Sequence, residues 1–175
     1  MANELTPQEI ADQAKQIYQT GDYPAAVQAF AEAASAYSDE GDAPMSAEMK
    51  NNQSVALLRD KQAQAALEAA QGTDLVFAEA GDFRREGMAL ANQASALDAL
   101  KRFKEAIDIY TRAGDALELA GEIDLRLEVM QLLSALYLRR FKFLDAIITL
   151  QSGLAAVKNP TPKQRFMKKL LFFRL

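Results

Sequence analysis

The chain repeats itself at an interval of 40 residues. Alanines that are each followed by a branched apolar residue carry the repeat, at Ala26-Val27, Ala66-Leu67, Ala106-Ile107 and Ala146-Ile147. Glycines followed by an acid keep the same interval, at Gly41-Asp42, Gly81-Asp82 and Gly121-Glu122. A fixed period of this length is typical of solenoids, in which one supersecondary unit stacks on the next. Solenoids bury a continuous core between units and usually bind other chains on an extended concave surface.

Each 40-residue unit contains two stretches of helical periodicity. In unit three, residues on one helix face recur at Phe103, Ala106, Ile107, Tyr110 and Ala113. Units one and four repeat this pattern, whereas unit two keeps the period without the aromatic residues. Near the start of the chain, Thr6-Pro7-Gln8-Glu9 is a capping box with proline at the first helical position. We therefore predict helices at 7–20, 23–39, 44–60, 62–79, 83–101, 103–120, 123–140, 142–158 and 162–175.

The pattern of unit one resembles the tetratricopeptide repeat (TPR). The residues that carry the resemblance are Ala14, Ile17, Gly21-Asp22-Tyr23, Ala26, Phe30 and Ala33. The usual TPR unit is shorter, and 40 residues resembles the long-helix type found in kinesin light chains and spindle-orientation adaptors. The resemblance implies an all-α fold: an α-solenoid of about four TPR-like helix hairpins plus a C-terminal capping helix, in a right-handed superhelix. One domain is expected over 1–175, with units at about 7–40, 44–80, 83–120 and 123–158 and a terminal helix at 162–175.

The resemblance also implies a concave groove lined by the first helix of each unit. Carried over by register, the predicted protein-binding residues are Lys15, Tyr18, Asn51, Asn52, Val55, Arg59, Asn92, Ser95, Gln131 and Arg139. The side-chain amides are of most interest, because an amide can donate to and accept from a peptide backbone at once. The alternative is that these amides are solvated or bond to neighbouring helices.

The terminal segment is the second predicted contact region. Its apolar residues include Phe166, Leu170, Phe172 and Phe173, and they alternate with Lys and Arg. Such a helix can cap the last core of a solenoid, contact another copy, or lie on an anionic membrane. Membrane contact is expected only through residues 163–175. The apolar face is broad for a cap, so a protein contact in addition to capping is favoured.

Composition narrows the classes of function. The chain has no Cys and no His, which removes thiolate nucleophiles, the commonest metal ligand and the commonest general base. Its eight glycines do not form a phosphate-binding loop. We therefore expect no catalytic, cofactor-binding or metal-binding residue. The opening residues are polar, and no apolar run approaches the length of a membrane span, so a cytoplasmic protein is expected, with a membrane-peripheral location as the alternative.

Charge is distributed unevenly along the chain. Residues 1–138 hold 11 Lys and Arg against 23 Asp and Glu, whereas residues 139–175 hold nine Lys and Arg against one acid. The acidic body argues against nucleic acid as a partner. The sequence therefore predicts a non-catalytic adaptor that binds a peptide or helix of another protein in its groove. The alternatives are a structural protein that forms homo-oligomers head to tail through its basic end, or a membrane-peripheral assembly factor.

Overall fold

A computed structural model describes residues 5–171, and these residues contain helices and turns but no strand. The helices are α1 (Pro7–Thr20), α2 (Tyr23–Asp39), α3 (Ala43–Arg59), α4 (Ala63–Ala70), α5 (Thr73–Glu79), α6 (Phe83–Ala99), α7 (Phe103–Leu119), α8 (Ile123–Arg139), α9 (Phe143–Ala155) and α10 (Pro162–Leu171). The predicted all-α solenoid of helix hairpins is confirmed. Within the described part of the chain, no helix is both long and apolar enough to cross a membrane.

Side-chain caps begin several of the helices. The Thr6 hydroxyl accepts from the backbone N–H of Glu9 over 3.3 Å, and the Glu9 carboxylate accepts from the backbone N–H of Thr6 over 2.8 Å. The predicted capping box is therefore present. Asp22, Asp42 and Asp82 each accept from the backbone N–H three residues on, which satisfies a donor that the first turn of a helix leaves without a partner.

Turns of two or three residues join the two helices of a hairpin. One residue of each turn has a left-handed backbone, with φ of 86° at Gly21. The equivalent positions in the next three hairpins are not glycine: they are Lys61, Lys101 and Phe141, with φ of 63°, 61° and 58°. The turn conformation is therefore a property of the repeat and is kept even where the side chain disfavours it.

Small residues set the close contact between helices. Ala26, Ala66 and Ala106 have no exposed surface, and Ala146 retains 2%. The first helix of each hairpin also packs on the second helix of the preceding one, so that α3 lies on α2, α6 lies on α4 and α5, and α8 lies on α7. Buried residues of α6, α7 and α8 consequently form one continuous cluster that includes Leu97, Tyr110 and Leu133. The core therefore runs through successive hairpins, as a solenoid requires.

The second hairpin departs from the predicted pattern. The single helix predicted at 62–79 is interrupted after Ala70, where Gln71 is extended and Gly72 takes a left-handed backbone with φ of 80°. A new helix then begins at Thr73, whose hydroxyl donates to the carbonyl oxygen of Ala70 over 2.7 Å. Because glycine adopts a left-handed backbone without the usual steric cost, Gly72 accounts for the position of the break.

At the C-terminal end, α10 packs on α9, where the sequence predicted a capping helix. Met167 and Leu171 pack against a buried cluster of Leu127, Leu154 and Val157. The prediction placed this helix at 162–175, and the part beyond Leu171 lies outside the described residues. The predicted contact residues Phe172 and Phe173 fall in that part.

Candidate ligand-binding groove

The first helices of the hairpins, α1, α3, α6 and α8, present one continuous side of the solenoid, which we call the groove. Between α3 and α6 the groove contains a pocket of about 120 Å³. The pocket is lined by Glu48, Asn51, Asn52, Phe77, Arg84, Arg85, Met88 and Asn92. Three of the predicted groove residues, the asparagines, are therefore brought together at one site.

The three asparagines are not equally accessible. Asn51 is only 7% exposed, and its side-chain amide donates to the carbonyl oxygen of Ala47 over 3.2 Å. Its side-chain oxygen lies 3.3 Å from the Thr73 hydroxyl and 3.5 Å from the side-chain nitrogen of Asn92. Asn52 and Asn92 are half-buried at the pocket wall. Asn51 thus uses its polar groups inside the protein, while Asn52 and Asn92 retain access to a ligand.

Arg85, also on α6, makes several contacts at the pocket. Its Nε donates to the Asp82 carboxylate over 2.6 Å, its Nη1 lies 3.5 Å from Glu48, and its guanidinium lies 5.1 Å from the centre of the Phe77 ring. The hydrogen bond from the backbone N–H of Arg85 is the main cause that lowers the pKa of Asp82. The hydrogen bond that the Arg85 side chain donates to Asp82 is the main cause that raises the pKa of Arg85. Both groups are therefore charged at neutral pH and hold each other in place.

The other predicted residues of the first two hairpins lie on α1 and α3, outside the lining of the pocket. Lys15 pairs with Asp12 over 3.5 Å. Tyr18 packs against Tyr23 and Phe30, with tilted rings whose centres are 5.5 Å and 6.3 Å apart, and it is partly buried against the first hairpin's core. Val55 is half-buried and Arg59 is exposed.

The predicted residues of the last two hairpins are also divided between internal bonds and solvent. The Ser95 hydroxyl donates to the carbonyl oxygen of Ala91 over 2.8 Å and lies 3.0 Å from the Tyr110 hydroxyl. Arg139 forms an ion pair with Asp98 on α6, which ties α8 to its neighbour. Gln131 is exposed. The structure thus joins Ser95 and Arg139 to neighbouring helices and leaves Gln131 accessible.

The groove changes character along its length. The equivalent position in the four first helices is occupied by Asp12, Asn52, Asn92 and Leu132. Leu132 is 47% exposed and Leu138, on the same helix, is 49% exposed. The groove therefore runs from a polar end through a pair of amides to an apolar end.

A larger cleft, which the sequence reasoning missed, lies between the second helices of hairpins two and three. It has a volume of about 650 Å³ and is lined by Gln64, Leu67, Glu68, Gln71, Gln93, Leu97, Arg102, Lys104, Glu105, Asp108 and Ile109. The interruption at Gly72 shortens α4, and the small side chains of this helix leave space beside α7. The isolated Gly72 inside a helical pattern could have indicated the break.

Buried polar contacts next to this cleft are structural. Gln93 donates from Nε2 to the carbonyl oxygen of Ala70 over 3.1 Å and to the Asp74 carboxylate over 2.7 Å. Arg112 lies 3.6 Å from the same carboxylate. These bonds satisfy the groups exposed by the end of α4. Among residues 5–171 no group of three or more acids is arranged to hold a metal ion.

No family model matches the chain, and no curated protein matches its sequence. Solved structures do match the fold. One is a protein from Podosopora anserina, described as a candidate kinesin light chain with nearly identical TPR-like repeats. Its sequence is 15% identical to this chain, and the two structures match with a TM-score of 0.76. The match covers 97% of this chain and 86% of that one. A single-residue variant of that protein matches with the same values. The chain therefore has a TPR-like helical-repeat fold.

Proposed function

We propose that this protein is a non-catalytic scaffold that holds a peptide segment or a helix of a partner protein in its groove. The observation that carries the proposal is the pair of half-buried amides, Asn52 on α3 and Asn92 on α6, that line one pocket. Each amide offers a donor and an acceptor, which is what a peptide bond requires on each side.

The surroundings of the amides favour a peptide over a small charged ligand. The two arginines at the pocket are already paired with acids, Arg85 with Asp82 and Arg84 with Glu122, the latter over 2.9 Å. Their charge is thus largely satisfied, and a phosphate or a carboxylate gains little from them. Met88 is 40% exposed beside the amides and can accept an apolar side chain of the ligand.

Neighbouring positions suggest how the ligand is oriented. Beyond the amides, Leu132 and Leu138 present apolar surface, whereas the other end of the groove carries Asp12 and Lys15. A ligand whose backbone crosses the Asn52 and Asn92 pair therefore places apolar side chains toward α8. The buried Asn51 acts as a positioning residue, because its oxygen lies 3.5 Å from the Asn92 amide and fixes that side chain.

A comparative pull-down tests the proposal. The protein and its Asn52→Ala, Asn92→Ala double variant are immobilised and exposed to native lysate, and captured proteins are quantified by mass spectrometry. Affinity for a protein lost from the double variant is then measured by calorimetry. We expect a loss of about 1 to 3 kcal/mol, because two hydrogen bonds to the ligand backbone are removed.

The matched control is the Gln64→Ala, Gln71→Ala double variant. It removes two exposed amides from the 650 Å³ cleft on the side of the second helices. If only the asparagine variant loses ligands, the result supports binding in the groove. Loss from the glutamine variant alone assigns binding to the cleft and contradicts the proposal, as does equal capture by all three folded proteins.

A further inference from the structure

The first two turns of α9 expose large apolar side chains that no described residue covers. Phe143, Leu144, Ile147 and Ile148 are 58%, 70%, 41% and 54% exposed, and Phe141, in the turn before the helix, is 81% exposed. We call these five residues the α9 apolar face. The cap, α10, packs only on the far part of α9, where Leu150 and Leu154 lie.

Comparison with the other hairpins shows that part of this face is not simply the open end of a solenoid. The positions of Leu144 and Ile148 are exposed in all four hairpins. In the first three hairpins they are occupied by Pro24 and Gln28, Gln64 and Glu68, and Lys104 and Asp108. Only the fourth hairpin places large apolar side chains at these positions. Packing within the repeat does not explain that change, because the neighbouring units do not cover these positions.

Phe141 adds an independent observation. It has a left-handed backbone, with φ of 58°, at the position that is Gly21 in the first hairpin and lysine in the next two. A bulky residue in this conformation is uncommon, and here its ring is also exposed to water. The left-handed backbone is common to the four hairpin turns, but an exposed aromatic ring at this position occurs in the fourth hairpin alone.

The rest of the repeat shows what kind of surface fits. Phe103 and Ile107 of α7 are the equivalents of Phe143 and Ile147. They pack in the core cluster together with Leu133, Leu136 and Tyr137 of α8. The corresponding surface of α9 is thus shaped to accept a helix, and α10 occupies only part of it.

The charges beside the face indicate the character of that helix. A pocket of about 460 Å³ adjoins it, with Lys101, Arg102, Lys104, Arg140 and Lys142 in its lining and Glu105 as the acid among its lining residues. Glu105 is already bonded to Arg102 over 2.6 Å. In addition, Leu138 occupies the position that is Asp98 in the preceding hairpin, where Asp98 forms an ion pair with Arg139 of the next first helix. A docked helix with a basic residue at the position of Arg139 would therefore find no acid at that position to pair with.

We propose that the α9 apolar face is a second docking site, separate from the groove, that binds an amphipathic helix of a partner protein. The apolar stripe of the helix covers Phe143 and Ile147, flanking apolar residues contact Leu144 and Ile148, and acidic residues reach the basic pocket. A flat lipid surface fits a concave pocket poorly. A second copy would bring one basic rim against another, or present the polar outer face of α1, where Glu9, Asp12 and Gln16 are exposed.

A pair of synthetic peptides tests the proposal. One peptide is residues 123–140 of this chain, because α8 is a helix that covers the equivalent surface of α7. The other is the same peptide with Arg139→Glu and Arg140→Glu. Both are labelled and titrated with the full-length protein, and binding is followed by fluorescence anisotropy. We expect the acidic peptide to bind about tenfold more tightly and to lose that advantage in high salt.

Variants of the protein locate the binding. The double variant Leu144→Gln, Ile148→Glu carries the residues found at the equivalent positions of the second hairpin. There Gln64 donates to Glu68 over 2.8 Å, so the fold of the variant is expected to be kept. This variant should bind the acidic peptide at least about tenfold more weakly. The control, Leu119→Gln, removes a 71% exposed leucine from another surface and should bind as the parent does.

Several results overturn the proposal. Binding of neither peptide, equal affinity for the two peptides, or unchanged affinity in the Leu144 and Ile148 variant would each do so. Sedimentation of the protein alone as a dimer that the same variant dissociates would assign the face to a second copy. Flotation with anionic vesicles that the same variant abolishes would assign it to a membrane.

Discussion

The hydroxyl of Ser54 on α3 donates to the backbone carbonyl oxygen of Ala66 on α4 over 2.8 Å. The same relationship recurs 80 residues later, where Ser134 donates to Ala146 over 2.9 Å. In the hairpins between and before them the equivalent residues are Ala94 and Ala14, both without exposed surface. A position that is 0% or 5% exposed therefore accepts either a methyl group or a small hydroxyl, and the hydroxyl bonds across the hairpin.

Ser54→Ala should change the free energy of unfolding by less than about 1 kcal/mol. The lost hydrogen bond contributes little in net terms, and the carbonyl of Ala66 lies in a helix, where it can accept from the backbone four residues on. Ser54→Leu, in contrast, should be strongly destabilising, because the site touches the facing helix and has no room. Urea unfolding measures both. A large loss in the alanine variant would show that the cross-hairpin bond, and not the small volume, maintains the contact.

Two buried glycines offer a matched comparison of close packing. A Cβ added at Gly87 would lie 2.6 Å from Cγ of Leu117 and 3.1 Å from the carbonyl oxygen of Ala113. A Cβ added at Gly114 would overlap the terminal methyl of Met130, which can rotate away. Both changes gain about 1 kcal/mol of helix propensity.

Gly87→Ala should therefore be less stable than Gly114→Ala by about 1 to 2 kcal/mol, since only the former must displace a branch point and a backbone oxygen. Chemical unfolding of the two variants side by side checks the difference. Equal stabilities would mean that α6 and α7 can separate slightly at no cost.

The 40-residue repeat determined how much of this structure could be predicted from the sequence. The 40-residue interval predicted which helices pair, and it placed the small residues at the contacts between them, because the same packing recurs in every hairpin. The interruption of the helix predicted at 62–79 was missed, since Ala-rich α4 is a good helix former and the chain is helical again from Thr73. The break depends on one left-handed residue, which periodicity does not detect.

The candidate site was only partly predictable. Register placed Asn51, Asn52 and Asn92 on neighbouring first helices, and the structure brings them to one pocket. Register alone did not separate Asn51 from Asn52, although one helix step, about 100°, turns the first toward Thr73 and leaves the second at the pocket wall. Within the α9 apolar face, Leu144 and Ile148 could be recognised from the sequence as large apolar residues at positions that hold none in the other hairpins. Recognising them as a face required knowledge of which positions the repeat leaves exposed.

Acid should weaken the start of α6 through Asp82. Its pKa is lowered in the folded protein, chiefly by the backbone N–H of Arg85, from an ordinary value of 3.8. A carboxyl group with a lowered folded pKa contributes stability above its ordinary pKa and loses that contribution as the pH falls through the folded value. Stability from Asp82 should therefore be complete at neutral pH and decline below 3.8.

Asp82→Asn tests this assignment, because asparagine can still cap a helix but does not titrate in this range. Urea unfolding is measured for both proteins from neutral to acidic pH. The difference in unfolding free energy between them should shrink as the pH drops below the ordinary value of an aspartate. A difference that stays constant with pH would assign the role of Asp82 to geometry and not to charge.

The cap formed by α10 can be separated from any contact that the same helix makes. Met167 packs toward Leu154 and Val157, whereas its neighbour Phe166 is 68% exposed. Lys168 also donates to the carbonyl oxygen of Val157 over 2.9 Å, which holds α10 to the end of α9. If α10 caps the solenoid, stability should therefore depend on Met167 and not on Phe166.

Met167→Ser should lower the free energy of unfolding by about 1 kcal/mol or more, because it removes an apolar side chain from the end of the core, and removal of all residues after Pro160 should lower it further. Phe166→Ser should stay within about 0.5 kcal/mol of the parent, as expected for a residue whose ring faces water. Thermal and urea unfolding of the three proteins checks the order. Equal stability of the Met167 and Phe166 variants would contradict the cap and leave the helix with a contact role alone.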